Sequence, residues 1–209
     1  MTRLTLASSL SGAPGNQITD GVARKSEKAA RILGFEMEKA TFAGGCFWGV
    51  ENLFNQMSGV IEAVSGYEGG TRDNPTYEQV CSGRTGHAEA VEVSYDPAKI
   101  TYDELLNAFW NMHDPTTLNR QGPDHGHQYR SAVFFHNPAQ EAAARRSKEA
   151  AQRYFDRPIV TEIVPASTFW RAEEYHQRYF EKHAGHYGCH FIRGWVPAGS
   201  EETEGVKPS

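Results

Sequence analysis

Apolar and polar residues change rhythm several times along the chain, and the changes mark its elements. Ala40-Thr41-Phe42-Ala43 reads as a short strand. Gly44 and Gly45 lead from it into apolar residues at Phe47, Val50, Leu53, Phe54 and Met57, the spacing of one helix face. Residues 60–65 form a second strand pattern, followed by a loop over 66–86 that carries Asn74, Pro75, Ser82 and several glycines. Loops that long usually serve function or stay disordered. Glu89 to Tyr95 alternates as a half-buried strand does, and Asp96-Pro97 closes it. Thr101 with Glu104 three residues on can satisfy two orphan amides, which predicts a helix to about Met112. A second loop over 113–128 precedes a strand at 129–136. Asn137 and Pro138 then supply the cap and first turn of a helix running to about Phe155. A strand at 159–165 and a helix at 169–183 complete the pattern, with no internal repeat.

Strand, helix, strand, strand, helix, strand is the order of a ferredoxin-like split βαββαβ unit. The expected fold is therefore an α+β, two-layer α/β sandwich over residues 38–198. Residues 1–37 form an N-terminal extension with a short helix at 21–33, and 199–209 a polar tail. The chain has 209 residues, enough for one real core. A net charge of -5 gives no basic field for nucleic acid or an anionic membrane surface. No segment approaches the roughly 20 apolar residues of a membrane span, and Leu4 to Leu10 is too broken by serines for a signal sequence. Three cysteines are too few for a disulfide scaffold and point to a reducing, cytoplasmic setting. A monomer is expected.

Cys46 is the most informative residue. It follows two glycines at the start of a helix, where amide N–H groups and the positive end of the macrodipole favour a thiolate. The alternative is a small buried hydrophobe beside Phe47 and Trp48. Those two rings in turn read either as an apolar pocket at the sulfur or as plain core. Glu89 shares a strand face with Val91, Val93 and Tyr95, so its carboxyl is either desolvated with a raised pKa or at the wet end of the strand. A protonated acid beside a thiolate would be a useful pair.

Tyr77, Tyr129 and Asp124 border the two loops and can orient a polar oxygen, although such residues are more often ordinary loop chemistry. His113-Asp114 and Asp124-His125-Gly126-His127 match no standard metal spacing, and neither a metal nor another cofactor is expected. Cys189, beyond the last helix, is either an idle thiol or one that resolves an oxidised Cys46. Cys81 reads as buried and structural. Two rival functions stand: a cysteine hydrolase pairing Cys46 with His87 or His125, and a non-catalytic domain using the histidine-rich loop.

The runs Gly45-Cys-Phe-Trp-Gly49, Ser65-Gly-Tyr-Glu-Gly-Gly70, Tyr77 to Glu89, His113-Asp-Pro115 and Asp124 to Ser131, in this order, resemble the A-type peptide methionine sulfoxide reductases. The resemblance spans about residues 39–196. It implies reduction of the S epimer of methionine sulfoxide, free or in proteins, with thioredoxin as the recycling partner. By motif it implies Cys46 as nucleophile and Glu89 as acid, with Tyr77 and Tyr129 on the sulfoxide oxygen. Phe47 and Trp48 would form the methyl pocket, with Asp124 a polar neighbour. It also implies Cys189 as the resolving thiol. The best-known family pattern has a further C-terminal cysteine, and the tail after Cys189 has none. A single Cys46–Cys189 disulfide is the expected intermediate.

Overall fold

The computed structural model describes residues 36–185, 188 and 190–196. The chain divides between residues 35 and 36 into two units, and every described residue belongs to the second. The helix expected at 21–33 and the tail 199–209 lie outside the described residues. In chain order the elements are β1 (Glu38–Gly44), α1 (Phe47–Asn55), β2 (Val60–Glu68), α2 (Tyr77–Cys81), β3 (Ala88–Tyr95) and α3 (Tyr102–Met112). Then come β4 (Arg120–Gln121), β5 (Asp124–His125), a 3-10 turn at His127–Tyr129, β6 (Ser131–Phe135), α4 (Pro138–Gln152), β7 (Glu162–Pro165), β8 (Trp170–Arg171) and α5 (Tyr179–Lys182). No described helix is long and apolar enough to cross a membrane.

The main sheet runs β7-β6-β1-β3-β2-β8. Its centre, β6-β1-β3-β2, is antiparallel throughout and has the expected ferredoxin-like order. Beyond the split unit, β7 extends one edge in parallel and β8 the other in antiparallel. Alternation along each strand sorts side chains onto two faces. Phe42, Val91, Val93 and Tyr95 join the larger core with Leu105, Phe109 and Ala144 of the helices. Phe42 stacks on Phe54 of α1 at 5.1 Å and Phe109 of α3 at 5.2 Å, which fixes both helices on that face. Truncating such a ring to Ala costs about 3–5 kcal/mol. The opposite face carries Ala43, Ala88, Ala90 and Ala132, small enough for Ala166 and Phe169 to lie across them.

The Thr101–Glu104 and Asn137–Gln140 caps hold as expected. Both long loops contain more structure than their composition suggests. β2 continues to Glu68, and α2 starts where Gln79 Oε1 accepts the Thr76 N–H, half of a Thr-x-x-Gln capping box. The second loop holds the β4–β5 pair and the 3-10 turn. The largest departure is 169–183, expected as one helix. Trp170 and Arg171 instead pair with Tyr67 and Gly66, Arg178 takes a left-handed φ of 51°, and only Tyr179–Lys182 is helical. Distant partners explain this. Gln177 donates to Ser65 and Ala172 carbonyls, and Glu51 accepts the Arg178 N–H, so tertiary bonds replace the local helix ladder.

Glu68, fully buried, accepts the Ser167 N–H through Oε1, and burial pushes its carboxyl up to about 7 despite that bond. The folded chain thus holds a proton that the unfolded chain releases near 4.5, so this group makes stability fall as pH rises from about 4.5 to about 7. Glu68→Gln keeps the acceptor and removes the ionisation. The drop in Tm between about pH 5 and about pH 8 should shrink by roughly 5 °C in calorimetry, and an unchanged drop would reject the assignment.

Candidate active site

β1 ends by delivering Gly44-Gly45-Cys46 to the start of α1. Gly45 has a φ of +99°, and a Cβ there would stand 2.6 Å from Gln121 Cβ, so the turn leaves no room for a side chain. Gly49 is equally confined, since a Cβ would collide with the His190 ring, which donates from Nε2 to the Gly44 carbonyl at 2.8 Å. Cys46 itself is half-buried at the cap position of α1. The sequence reading of a thiol at a glycine-led helix start describes this geometry.

Of the two readings for Glu89, burial is the one observed, with 1% of the residue exposed. Its Oε2 accepts the N–H of Phe47, the first residue of α1, at 3.1 Å. Burial raises the carboxyl to about 8, the Phe47 N–H opposes the rise, and the Asp124 charge adds to it. Most of the population is therefore neutral at pH 7. The helix end next to Cys46 is capped by an acid carrying a transferable proton.

The two loops bring Tyr77, Tyr129 and Asp124 to the same place. Burial pushes both phenols up, and the Glu89 charge acts on each; Tyr129 also feels Asp124 and Cys46. Both phenols are therefore neutral donors over the physiological range. Asp124 is half-buried on β5. Cys81, expected as buried, is exposed at the end of α2, because that one-turn helix turns its last residue outward; its thiol hydrogen-bonds the Tyr77 phenol.

Phe47 is buried and Trp48 half-buried, and both pack on the segment 172–179. The Trp48 indole stacks on Tyr179 at 3.8 Å with rings 6° from parallel, and its Nε1–H donates to His176 Nδ1 at 2.9 Å. His176 lies 4.5 Å from the Tyr77 ring and 5.0 Å from Phe47. The Glu173 carboxylate accepts from the Tyr67 hydroxyl at 2.8 Å and the Tyr77 amide at 2.9 Å, tying β2 and α2 to the same strap. Sequence inspection missed Glu173, His176 and Tyr179. Their local pattern reads as helix, and only contacts with partners 96 or more residues away in sequence give them a role.

The histidines do not support the rivals. Both nitrogens of His87 are engaged by the Gly70 amide and the Arg72 carbonyl, while His125 is exposed on β5. His113 is fully buried between the Phe109 carbonyl and Ser131 Oγ, and burial drives it down to about 3. Among the described residues no group of three His, Cys, Asp or Glu is placed to hold a metal ion. Cys189 lies outside the described residues.

The profile of a family described as peptide methionine sulfoxide reductase matches residues 38–200. A peptide methionine sulfoxide reductase MsrA from Geobacter metallireducens is 62% identical over 152 residues, 72% of this chain and 94% of that protein. Its counterpart from Methanosarcina acetivorans is 54% identical over 173 residues, 80% and 92% of the two chains. Among solved structures, reduced Mxr1 from Saccharomyces cerevisiae superposes with a TM-score of 0.73 at 40% identity, covering 76% of this chain and 93% of that one. Mxr1 in complex with Trx2 gives 0.54 at 29% identity, covering 76% and 91%. Sheet, loops and strap thus all fall within the shared region, and the chain belongs to the peptide methionine sulfoxide reductase family.

Proposed function

We propose that residues 38–198 form the catalytic domain of a thioredoxin-recycled reductase that returns the S epimer of methionine sulfoxide, free or in proteins, to methionine. The observation that carries this is the buried, largely protonated Glu89 on the first amide of the Cys46 helix. A sulfoxide oxygen leaves poorly until protonated, so attack on its sulfur needs a neutral acid aimed at that oxygen. Family membership and the Trx2 complex of Mxr1 support the same activity and reductant.

In the proposed cycle, Phe47 and Trp48 receive the S-methyl group, while Tyr77 and Tyr129, with Asp124 nearby, hold the oxygen. Cys46 sulfur attacks the substrate sulfur, Glu89 protonates the oxygen, and the Cys46 proton replenishes Glu89. The oxygen passes to Cys46, which is oxidised to a sulfenic acid as the sulfoxide is reduced to methionine. Cys189 then attacks the sulfenic sulfur, releasing water and leaving a Cys46–Cys189 disulfide for the thioredoxin dithiol to reduce. Gly188 and His190, either side of Cys189, pack near Gly49 and Gly44, which supports this pairing. We place the enzyme in the cytoplasm on the basis of its few cysteines, which suit a reducing compartment, and take it to act as a monomer.

With a methionine-sulfoxide peptide and dithiothreitol, mass spectrometry should show loss of one oxygen with the wild type and none with Cys46→Ser; oxygen loss by both would sink the assignment. Above about pH 8 the rate should fall as Glu89 gives up its proton. Glu89→Gln should lower kcat/KM by about a hundredfold or more and remove that alkaline limb, so an unchanged rate or profile rejects the acid role. Cys189→Ser should complete one turnover and stop under thioredoxin. Undiminished cycling would assign resolution to Cys81 or to the reductant itself.

A further inference from the structure

The imidazole of His176 sits in an unusual setting for a ring that only packs. It is 1% exposed, with Tyr77, Tyr175, Phe47 and Trp48 within 4.1–5.7 Å of its centre. An indole N–H can only donate, so the 2.9 Å bond from Trp48 requires His176 Nδ1 to carry its lone pair. The neutral ring must then hold its proton on Nε2. That atom is buried with no hydrogen-bond partner among the described residues, an arrangement that is unfavourable by itself. A phenylalanine would fill the same stack without that cost. What the imidazole supplies and a phenylalanine cannot is the acceptor for Trp48.

The charge state agrees. Burial lowers the His176 pKa, while the carboxylates facing it, Glu173 from the strap and Glu78 from α2, pull the other way. Imidazolium would place a hydrogen on Nδ1 against the indole N–H and break the bond. The indole is consequently fixed at its edge by His176 and on its face by Tyr179, three residues further along the same segment.

We propose that His176 is a positioning residue that, by accepting the Trp48 N–H, fixes the indole plane against which the sulfur substituent packs and thereby sets the size of substituent accepted. This rests on Phe47 and Trp48 receiving the S-methyl group, as proposed above. The chemistry happens at Cys46 and Glu89, so the effect falls on KM and on discrimination more than on kcat.

The test compares peptides containing methionine sulfoxide or its S-ethyl homologue, with dithiothreitol as reductant. His176→Phe keeps an aromatic ring and loses the acceptor. Its KM for the methyl sulfoxide should rise about tenfold with kcat within about twofold, and methyl-over-ethyl preference should fall by a similar factor. His176→Asn, whose Oδ1 can stand near the place of Nδ1, should return KM to within about threefold of wild type. Wild-type KM and preference in the Phe variant, equal impairment of both variants, or a loss confined to kcat would each overturn the proposal.

An activity-independent readout is the Trp48 indole N–H signal in NMR, assigned by its loss in Trp48→Phe. It should be protected from exchange in wild type and in His176→Asn, and exposed in His176→Phe. Should His176→Phe fail to fold, rapid exchange of this proton in wild type still overturns the proposal. A wild type that reduces no sulfoxide while its Trp48 proton stays protected would count against the function and leave the His176 bond standing.

Discussion

A carboxyl stripped of water, hydrogen-bonded to the first amide of a helix, is the constraint around which the site is organised. Glu89 can stay neutral only because β3 carries it into the core, between the sheet and the start of α1. The same position places it one residue from Cys46. Helix geometry alone would favour a permanent thiolate at the cap. With Glu89 occupying the amide, the thiol and the acid compete for one stabilising group, and in the cycle proposed above a substrate oxygen that accepts a proton relieves the competition. Tyr77 and Tyr129, neutral because they too are partly buried near Glu89, add donors without adding charge.

A second layer of constraint holds the apolar wall. Segment 172–179 gives up helical hydrogen bonding to make bonds of its own choosing: Glu173 to Tyr67 and Tyr77, His176 to Trp48, Gln177 to Ser65 and Arg178 to Glu51. Each runs to an element that carries or borders a site residue. The strap therefore couples the position of the phenol on α2 to that of the indole on α1, although the two arise from separate parts of the chain.

Much of this was legible in the sequence because it is local. The Thr101 and Asn137 caps, the alternation of β3 and the glycine-led start of α1 each depend on a few neighbouring residues, and each formed where expected. Alternation also assigned Glu89 to the core side of β3. Burial was not decidable locally, since the first residue of a strand pattern can lie at either end of the core. The strap failed for the opposite reason: its spacing suits a helix, and the partners that overrule it are far away in sequence. Cys81 was misjudged because nothing in the loop composition announced the short helix that turns it outward.

The long reach of the strap also has a consequence for how the protein comes into being. The four central strands and the first three helices are complete by β6, at Phe135, whereas the bonds that shape the pocket span 106 residues from Tyr67 to Glu173 and 128 from Trp48 to His176. Contacts of such separation form late, after loop-closure entropy has been overcome. On the ribosome, Cys46 and Glu89 would emerge long before the segment that packs on Phe47 and Trp48, so a nascent chain holds a buried core around an unfinished pocket until its last quarter is released.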